Sequence, residues 1–283
     1  MSNSLPRLPN QCVGCRSSAQ WVNYFRQNRA RLRPIPWDEG VAFTSTERVA
    51  VIRSIQVFQL GESGEGKHLL RVAERYAQRV GDQDYLEALK MFLAEEHRHA
   101  DELGRVLDLT GESRLEKEWT DHVFRWLRHR AGLELMIIVL LTGEVMAQVY
   151  YAALRRATRS TVLVRLCEQI LADEVAHVRF QSERLRLLRR GESRILSMLK
   201  TLFEKVLFAA ACVVVWHGHR KVFRAANFSF RSFWRRAHAA FRRSLHLRDP
   251  RRYVKQTLLS RPRTARKPTA TAAFPRPGQD VYS

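Results

Sequence analysis

Two short motifs in this chain each pair a glutamate with a histidine three residues later: Glu96 with His99, and Glu174 with His177. Residues i and i+3 lie on the same face of an α-helix, so each motif would direct a carboxylate and an imidazole to one point. A further glutamate precedes each motif, Glu65 by 31 residues and Glu144 by 30 residues. Four carboxylates and two imidazoles suit two iron or manganese ions inside a four-helix bundle. The spacing therefore predicts a two-metal site.

The distances of these glutamates from two predicted turns agree with such a bundle. Asp82 is the predicted N-cap of the first motif helix, and Ser160 or Thr161 that of the second. In each half of the chain, the preceding glutamate lies 14 residues before its turn and the motif glutamate 14 residues after it. Because antiparallel helices rise about 1.5 Å per residue, both glutamates of a half reach the same height.

Two further residues are candidates for the neighbourhood of this site. Glu62 lies three residues before Glu65 on the same helical face, so it is an alternative first-helix ligand, a seventh ligand or a polar neighbour. The turn distance favours Glu65. Tyr151 lies about two turns after Glu144 on nearly the same face, which makes it a candidate neighbour of the metals or an ordinary core tyrosine.

The motif residues resemble the ferritin-like di-iron carboxylate superfamily, which includes rubrerythrins, ribonucleotide reductase small subunits and di-iron hydroxylases. The residues that carry the resemblance are Glu65, Glu96, His99, Glu144, Glu174 and His177. It spans roughly residues 45–190 and implies an all-α, ferritin-like four-helix bundle with a crossover helix.

The resemblance also implies roles for the ligands. One metal would bind Glu65 and His99, the other would bind Glu144 and His177, and Glu96 and Glu174 would bridge them. In such proteins the acidic residue before a bridging glutamate often orients a ligand histidine. Glu95 and Asp173 occupy those positions here.

Apolar periodicity and cap residues place helices over most of the chain. The four bundle helices are predicted at residues 46–79, 83–109, 132–157 and 161–189, and further helices at 21–33, 116–130, 195–226 and 229–247. The chain is thereby divided into a leader with a short helix (1–44), the bundle (45–190), basic amphipathic C-terminal helices (191–248) and a disordered basic tail (249–283).

Positive charge is concentrated in the C-terminal third. Residues 195–283 contain 19 Lys and Arg against 3 Asp and Glu, within a chain whose formal net charge is +21. The predicted helix at 229–247 interleaves aromatic residues with arginines. This pattern fits an anionic membrane surface, a nucleic-acid-binding face, or a helix that packs on the bundle and turns its basic face to solvent.

The cysteines and the N-terminal residues bear on class and location. Cys12 and Cys15 form a lone Cys-x-x-Cys pair, whereas rubredoxin-type iron sites need two, so a rubrerythrin in the strict sense is not expected. The N-terminal residues lack an apolar signal core, and the longest apolar run, 206–216, is too short to cross a bilayer. We expect a cytoplasmic protein, peripheral to the inner membrane face if the basic region binds lipid.

The resemblance implies oxygen chemistry. The leading hypothesis is a di-iron, or Mn/Fe, oxidase or hydroxylase that uses O2 or peroxide, an electron donor and an unidentified organic substrate. One alternative is ferritin- or rubrerythrin-like metal oxidation, storage or peroxide protection. Another is a membrane- or tRNA-associated hydroxylase directed by the basic region. A purely structural bundle with a vestigial site is the fourth hypothesis, and a homodimer is compatible with each of them.

Overall fold

The computed structural model of this chain describes residues 15–64, 66–116 and 132–249. Across these ranges the chain is helical and contains no β-strand. The helices are α1 (Ser18–Ala30), α2 (Ser45–Glu62), α3 (Lys67–Val80), α4 (Gln83–Leu109), α5 (Leu133–Ala157), α6 (Thr161–Leu188), α7 (Arg194–Ala225) and α8 (Phe230–Arg248). The predicted crossover helix, apart from residue 116, lies outside the described residues, as do Cys12 and residues 250–283.

A four-helix bundle forms the centre of the molecule. The helices α2 and α3 together make up one of its members and pack against α4, while α5 packs along α6. Additional helices surround the bundle, since α1 lies on α4, α7 lies on α5 and α2, and α8 lies on α6 and α5. The core between them is filled by buried aromatic and aliphatic side chains such as Phe92, Tyr150 and Phe180.

Side-chain caps begin the helices where the sequence predicts them. Asp82 accepts a hydrogen bond from the backbone N–H of Tyr85 at the start of α4. Ser160 accepts one from Leu163 at the start of α6. Thr44 forms a capping box with Glu47 at the start of α2. These caps fix the ends of the helices from which the ligand spacing is counted.

The prediction of one unbroken helix over 46–79 is wrong. Helix α2 ends at Glu62, and α3 begins at Lys67 after Gly66, whose φ is +62°. A Cβ at Gly66 would lie 2.6 Å from Cδ1 of Leu93 on α4, so only glycine suits both this backbone conformation and this close approach. The break means that counting back from the turn no longer determines which glutamate of this segment is level with Glu96.

Helix α5 is the most apolar of the described helices. It is long and apolar enough to cross a membrane, but 72% of its most apolar window is buried inside the protein. Its side chains Met136, Ile137 and Val145 belong to the core, and it also carries the buried Glu144. These features are those of a central bundle helix.

The aromatic face of α8 is covered by the rest of the protein. Phe233, Ala237 and Phe241 are buried against the bundle and α7. Its arginines other than Arg248, among them Arg235 and Arg242, are exposed. Of the three interpretations of this helix, packing on the bundle accounts for Phe233 and Phe241, whereas Phe230 at its start is exposed.

Candidate metal centre

Buried carboxylates and imidazoles from four helices converge inside the bundle. One oxygen or nitrogen atom from each of four residues lies within 4.8 Å of the others: Glu96, Glu144, Glu174 and His177. A second group, with the same limit, consists of Glu62, Glu96 and His99. Since Glu96 belongs to both groups, the two groups adjoin. The arrangement has room for two ions that share a carboxylate.

Five of the six predicted ligands are therefore brought together. The sixth, Glu65, lies outside the described residues. Glu62, the alternative on the same segment, is in the cluster as the last residue of α2. In the second half of the chain α5 and α6 are unbroken. Glu144 and Glu174 lie close together there, as their equal numbers of residues from the shared turn predict.

Several polar atoms in this cluster are buried without a hydrogen-bond partner. They are both carboxylate oxygens of Glu174 and Nδ1 of His99. Oε1 of Glu96 and Nδ1 of His177 face each other at 2.9 Å in the same cluster. Such atoms are costly to bury, and most in folded proteins have a partner. Here they are carboxylate oxygens and imidazole nitrogens, the donors that iron and manganese accept. The residues present thus fit a pair of such ions.

The other nitrogen of each histidine is held by a carboxylate from the opposite motif helix. His177 on α6 donates through Nε2 to Oε2 of Glu95 on α4, at 2.8 Å. His99 on α4 donates through Nε2 to Oδ2 of Asp173 on α6, at 3.1 Å. The carboxylates hold the histidines in the tautomer that leaves Nδ1 free to bind a metal. The geometry is that predicted for Glu95 and Asp173.

Asn28 of α1 joins these two carboxylates, and nothing in the sequence pattern pointed to it. Its Nδ2 atom donates to Oε1 of Glu95 and to Oδ1 of Asp173, at 2.7 Å each. Arg98 donates to the other oxygen of Asp173. Burial would raise the pKa of Asp173, but the hydrogen bond from His99 and the nearby charges of His99 and Arg98 outweigh it and lower that pKa. Asp173 therefore stays ionised and able to orient His99.

Tyr151 connects the core of α5 to Glu62, the candidate ligand at the end of α2. Its hydroxyl donates to Oε1 of Glu62 at 2.9 Å. Burial raises the pKa of this phenol well above its usual value, and the charge of Glu62 raises it further. Tyr151 is therefore a neutral hydrogen-bond donor that helps to fix the Glu62 carboxylate.

Crowding of carboxylates in a buried space shifts their pKa values. Burial, reinforced by the charge of Glu144, raises the pKa of Glu174 well above its usual range. Burial also raises the pKa of Glu62, and the charge of Glu96 adds to the shift. Burial would lower the pKa of His177, yet the surrounding glutamates, Glu144 first, raise it. Protons therefore stabilise the cluster when no cation is bound, and metal ions would displace them.

Comparison with known proteins finds similarity of fold. No protein-family model matches the sequence, and no curated protein does. An R2-like ligand-binding oxidase with an aerobically reconstituted Mn/Fe cofactor is 13% identical, with a TM-score of 0.59 over 82% of this chain and 93% of that chain. Two mutants of such an oxidase, also carrying Mn/Fe, are 12% and 13% identical, with TM-scores of 0.59 and 0.60 over 82% of this chain and 94% and 93% of theirs.

The chain has the fold of these oxidases, a ferritin-like helical bundle. The predicted fold class is confirmed. In this ferritin-like bundle the convergent glutamates and histidines lie between α2, α4, α5 and α6, the helices that form its centre.

A cavity of about 670 Å³ lies beside the metal centre of the ferritin-like bundle. Its inner end reaches Glu62, Glu96 and Glu144, and its walls are largely apolar: Val57, Phe58, Phe92, Leu93, Val139, Leu140, Met146, Ala147 and Val213 to Val215. Four glycines line it as well, and three of them are exposed: Gly61 of α2, Gly143 of α5 and Gly218 of α7. A Cβ at any of these three would meet no atom within 4 Å, so the cavity is open between these helices.

Proposed function

We propose that this protein is an O2-dependent oxidase or hydroxylase that acts on an organic substrate at a di-iron or Mn/Fe centre. The observation that carries the proposal is the joint presence of a buried four-carboxylate, two-histidine cluster and an apolar cavity that ends on it. Such a metal pair, when bound, supplies the electrons that reduce dioxygen. The structural neighbours are named as oxidases with an Mn/Fe cofactor, and this supports the same class of chemistry here.

The two groups of side chains support one division of the ligands between two ions. Glu62 and His99 would hold one ion, Glu144 and His177 the other, and Glu96 and Glu174 lie where both ions could share them. Carboxylates suit this position because they bind in terminal or bridging modes and neutralise the charge of the cations. The hydrogen bonds that the two imidazoles donate to Glu95 and Asp173 keep each ring basic and oriented.

The cavity favours an oxidase over a metal-storage protein. Storage needs a route for ions, whereas this space is walled mainly by valine, leucine and phenylalanine side chains. A volume of this size is typical of sites for small organic ligands. The apolar walls would exclude bulk water and hold an apolar part of the substrate against the metals.

Oxygen uptake tests the proposal directly. Protein loaded anaerobically with Fe(II), or with Mn(II) and Fe(II), is mixed with air-saturated buffer in an oxygen electrode. We expect stoichiometric uptake by the wild-type chain and none above background by Glu174→Ala, with the exposed variant Gln27→Ala as a control. Repeated Fe(II) additions separate the alternatives. An oxidase stops taking up iron once its two sites are filled, whereas a storage protein continues and has the mass of a large cage.

A further inference from the structure

The first two-thirds of α7 present an apolar face to the outside of the molecule. Its side chains are largely exposed: Ile195 (74%), Met198 (71%), Leu199 (60%), Leu202 (58%), Val206 (62%) and Val213 (48%). We call these six residues the α7 face. A solvent-facing helix normally carries polar residues on this side, and large exposed apolar patches mark interaction surfaces.

Helical periodicity places these residues on one stripe. They recur at intervals of three, four and seven residues, while Glu204, Phe208 and Cys212 on the opposite side are buried against the protein. From Ile195 to Val213 the stripe is about 27 Å long, at 1.5 Å per residue. The interior side of α7 is thus already packed, and the α7 face remains for another occupant.

The charges are balanced at the start of α7, where Lys200 pairs with Glu134 and Glu192, and become strongly positive further along the chain. Residues 194–249 contain twelve Lys and Arg but only two acidic residues, Glu204 and Asp249. Glu204 is buried and paired with Arg189 and Arg248, so it adds no negative charge to the surface. Exposed arginines and lysines continue along the second half of α7 and along α8. The sequence beyond Asp249 adds eight more Lys and Arg against one Asp.

We propose that the α7 face docks on an anionic membrane surface. Aliphatic side chains would enter the boundary between headgroups and acyl chains, while the surrounding basic residues would bind anionic headgroups. A second copy of this chain fits less well, because two surfaces of the same strong positive charge repel each other. A nucleic acid would match the charge but would leave the aliphatic stripe in water.

The α7 face also leads to the cavity of the metal centre. Val213 belongs both to the face and to the cavity lining, and His217, one turn further along, is exposed and lines the cavity too. Docking would therefore bring the α7 wall of the cavity to the lipid. This consequence rests on the proposed function, and it assigns a membrane-dissolved, apolar substrate to the site.

Vesicle flotation tests the docking without any requirement for metal or activity. The full-length chain is mixed with phosphatidylcholine vesicles, with and without phosphatidylglycerol. We expect the wild-type chain to float with the anionic vesicles only. The triple variant Leu199→Gln, Leu202→Gln and Val206→Gln should bind at least about tenfold more weakly, since each change removes exposed apolar surface. The single variant Val206→Gln should show a smaller loss.

Matched controls separate this result from loss of fold and from failure of the proposed function. Val49→Gln alters an equally exposed valine (65%) on α2 and should bind as the wild type does. Glu174→Ala should lose metal and still float. Equal flotation of the triple variant and the wild type, or equal wild-type binding to neutral vesicles, would overturn the proposal. The proposal would also be overturned if the wild-type chain did not float but formed a dimer, and the triple variant was a monomer. That result would assign the α7 face to a second copy of the chain.

Discussion

His177 on α6 and Glu95 on α4 are joined by a hydrogen bond of 2.8 Å between Nε2 and Oε2. A reciprocal hydrogen bond runs from His99 on α4 to Asp173 on α6. Together the two bonds connect the motif helices across the bundle. Each helix supplies the ligands of its own motif and the carboxylate that orients the histidine of the other. The metal ligands are held by a network as well as by the helices.

Asn28 is the residue whose replacement tests this network. In Asn28→Ala, Glu95 and Asp173 lose the donor that connects them, so both histidines are less well oriented. We expect metal affinity to fall by about 10- to 100-fold while the fold is kept. Competition with a metallochromic chelator measures the affinity. Gln27→Ala, at the neighbouring exposed position, is the control, and an Asn28→Ala affinity equal to that of Gln27→Ala would contradict the prediction.

The first-helix ligand can be determined by a pair of variants. Glu62 shares a cluster with Glu96 and His99 and accepts a hydrogen bond from Tyr151. We therefore expect Glu62→Ala to retain about one metal ion per chain in place of two, and Glu65→Ala to retain two. Elemental analysis after desalting gives the stoichiometry. The reverse result would assign the ligand to Glu65, as the count from the turn predicts.

The break between α2 and α3 should depend on Gly66. In Gly66→Ala the alanine would have to adopt the left-handed backbone conformation, which alanine disfavours. Its Cβ would also lie 2.6 Å from Cδ1 of Leu93. We expect a loss of about 2 kcal/mol in the free energy of unfolding. Gly61→Ala is the matched control, since its Cβ meets nothing within 4 Å and helical alanine is favoured over glycine. Urea unfolding compares them, and equal stabilities would show that the break does not need glycine.

The contrast between the two halves of the site shows what the sequence can predict. The ligands Glu144 and Glu174 follow from helical spacing because α5 and α6 are unbroken from their shared turn. In the first half of the chain the count is interrupted by the break between α2 and α3, where Gly66 lies close to Leu93, and a contact between residues so distant in sequence leaves no periodic signal.

Packing of the surrounding helices was equally hidden in the sequence. The amphipathic pattern of α8 predicts an apolar face but says nothing about what covers it, and the structure buries that face on the bundle. Asn28 is one of several polar residues on a short helix, and only the fold reveals that its side chain reaches two carboxylates. The exposed stripe on α7 is likewise visible only once the opposite side of that helix is seen to be packed.

Acid should destabilise the protein through His219. This histidine lies at a kink in α7, with Nδ1 2.6 Å from Oγ of Ser54. Burial, helped by the charge of Arg53, lowers its pKa from 6.5 to about 4. Because the folded state favours the neutral ring, the stabilisation is complete above pH 6.5 and is lost as the pH falls towards 4. By linkage this amounts to about 3 kcal/mol.

The variant His219→Gln separates this effect from other acid-sensitive groups. Glutamine keeps a polar partner for Ser54 but does not titrate. We expect the melting temperature of the wild type to fall more steeply than that of the variant between pH 6.5 and 4. Parallel melting curves over that range would show that His219 does not contribute.

The metal content of the chain tests the central claim most directly. The protein is loaded with Fe(II) without oxygen, freed of unbound metal by gel filtration and analysed for iron and protein. The account predicts about two iron ions per wild-type chain and less than one in Glu174→Ala, whose carboxylate belongs to the cluster and has no other partner for its oxygens. A wild-type chain that retains no stoichiometric metal, or a variant that retains as much as the wild type, would contradict it.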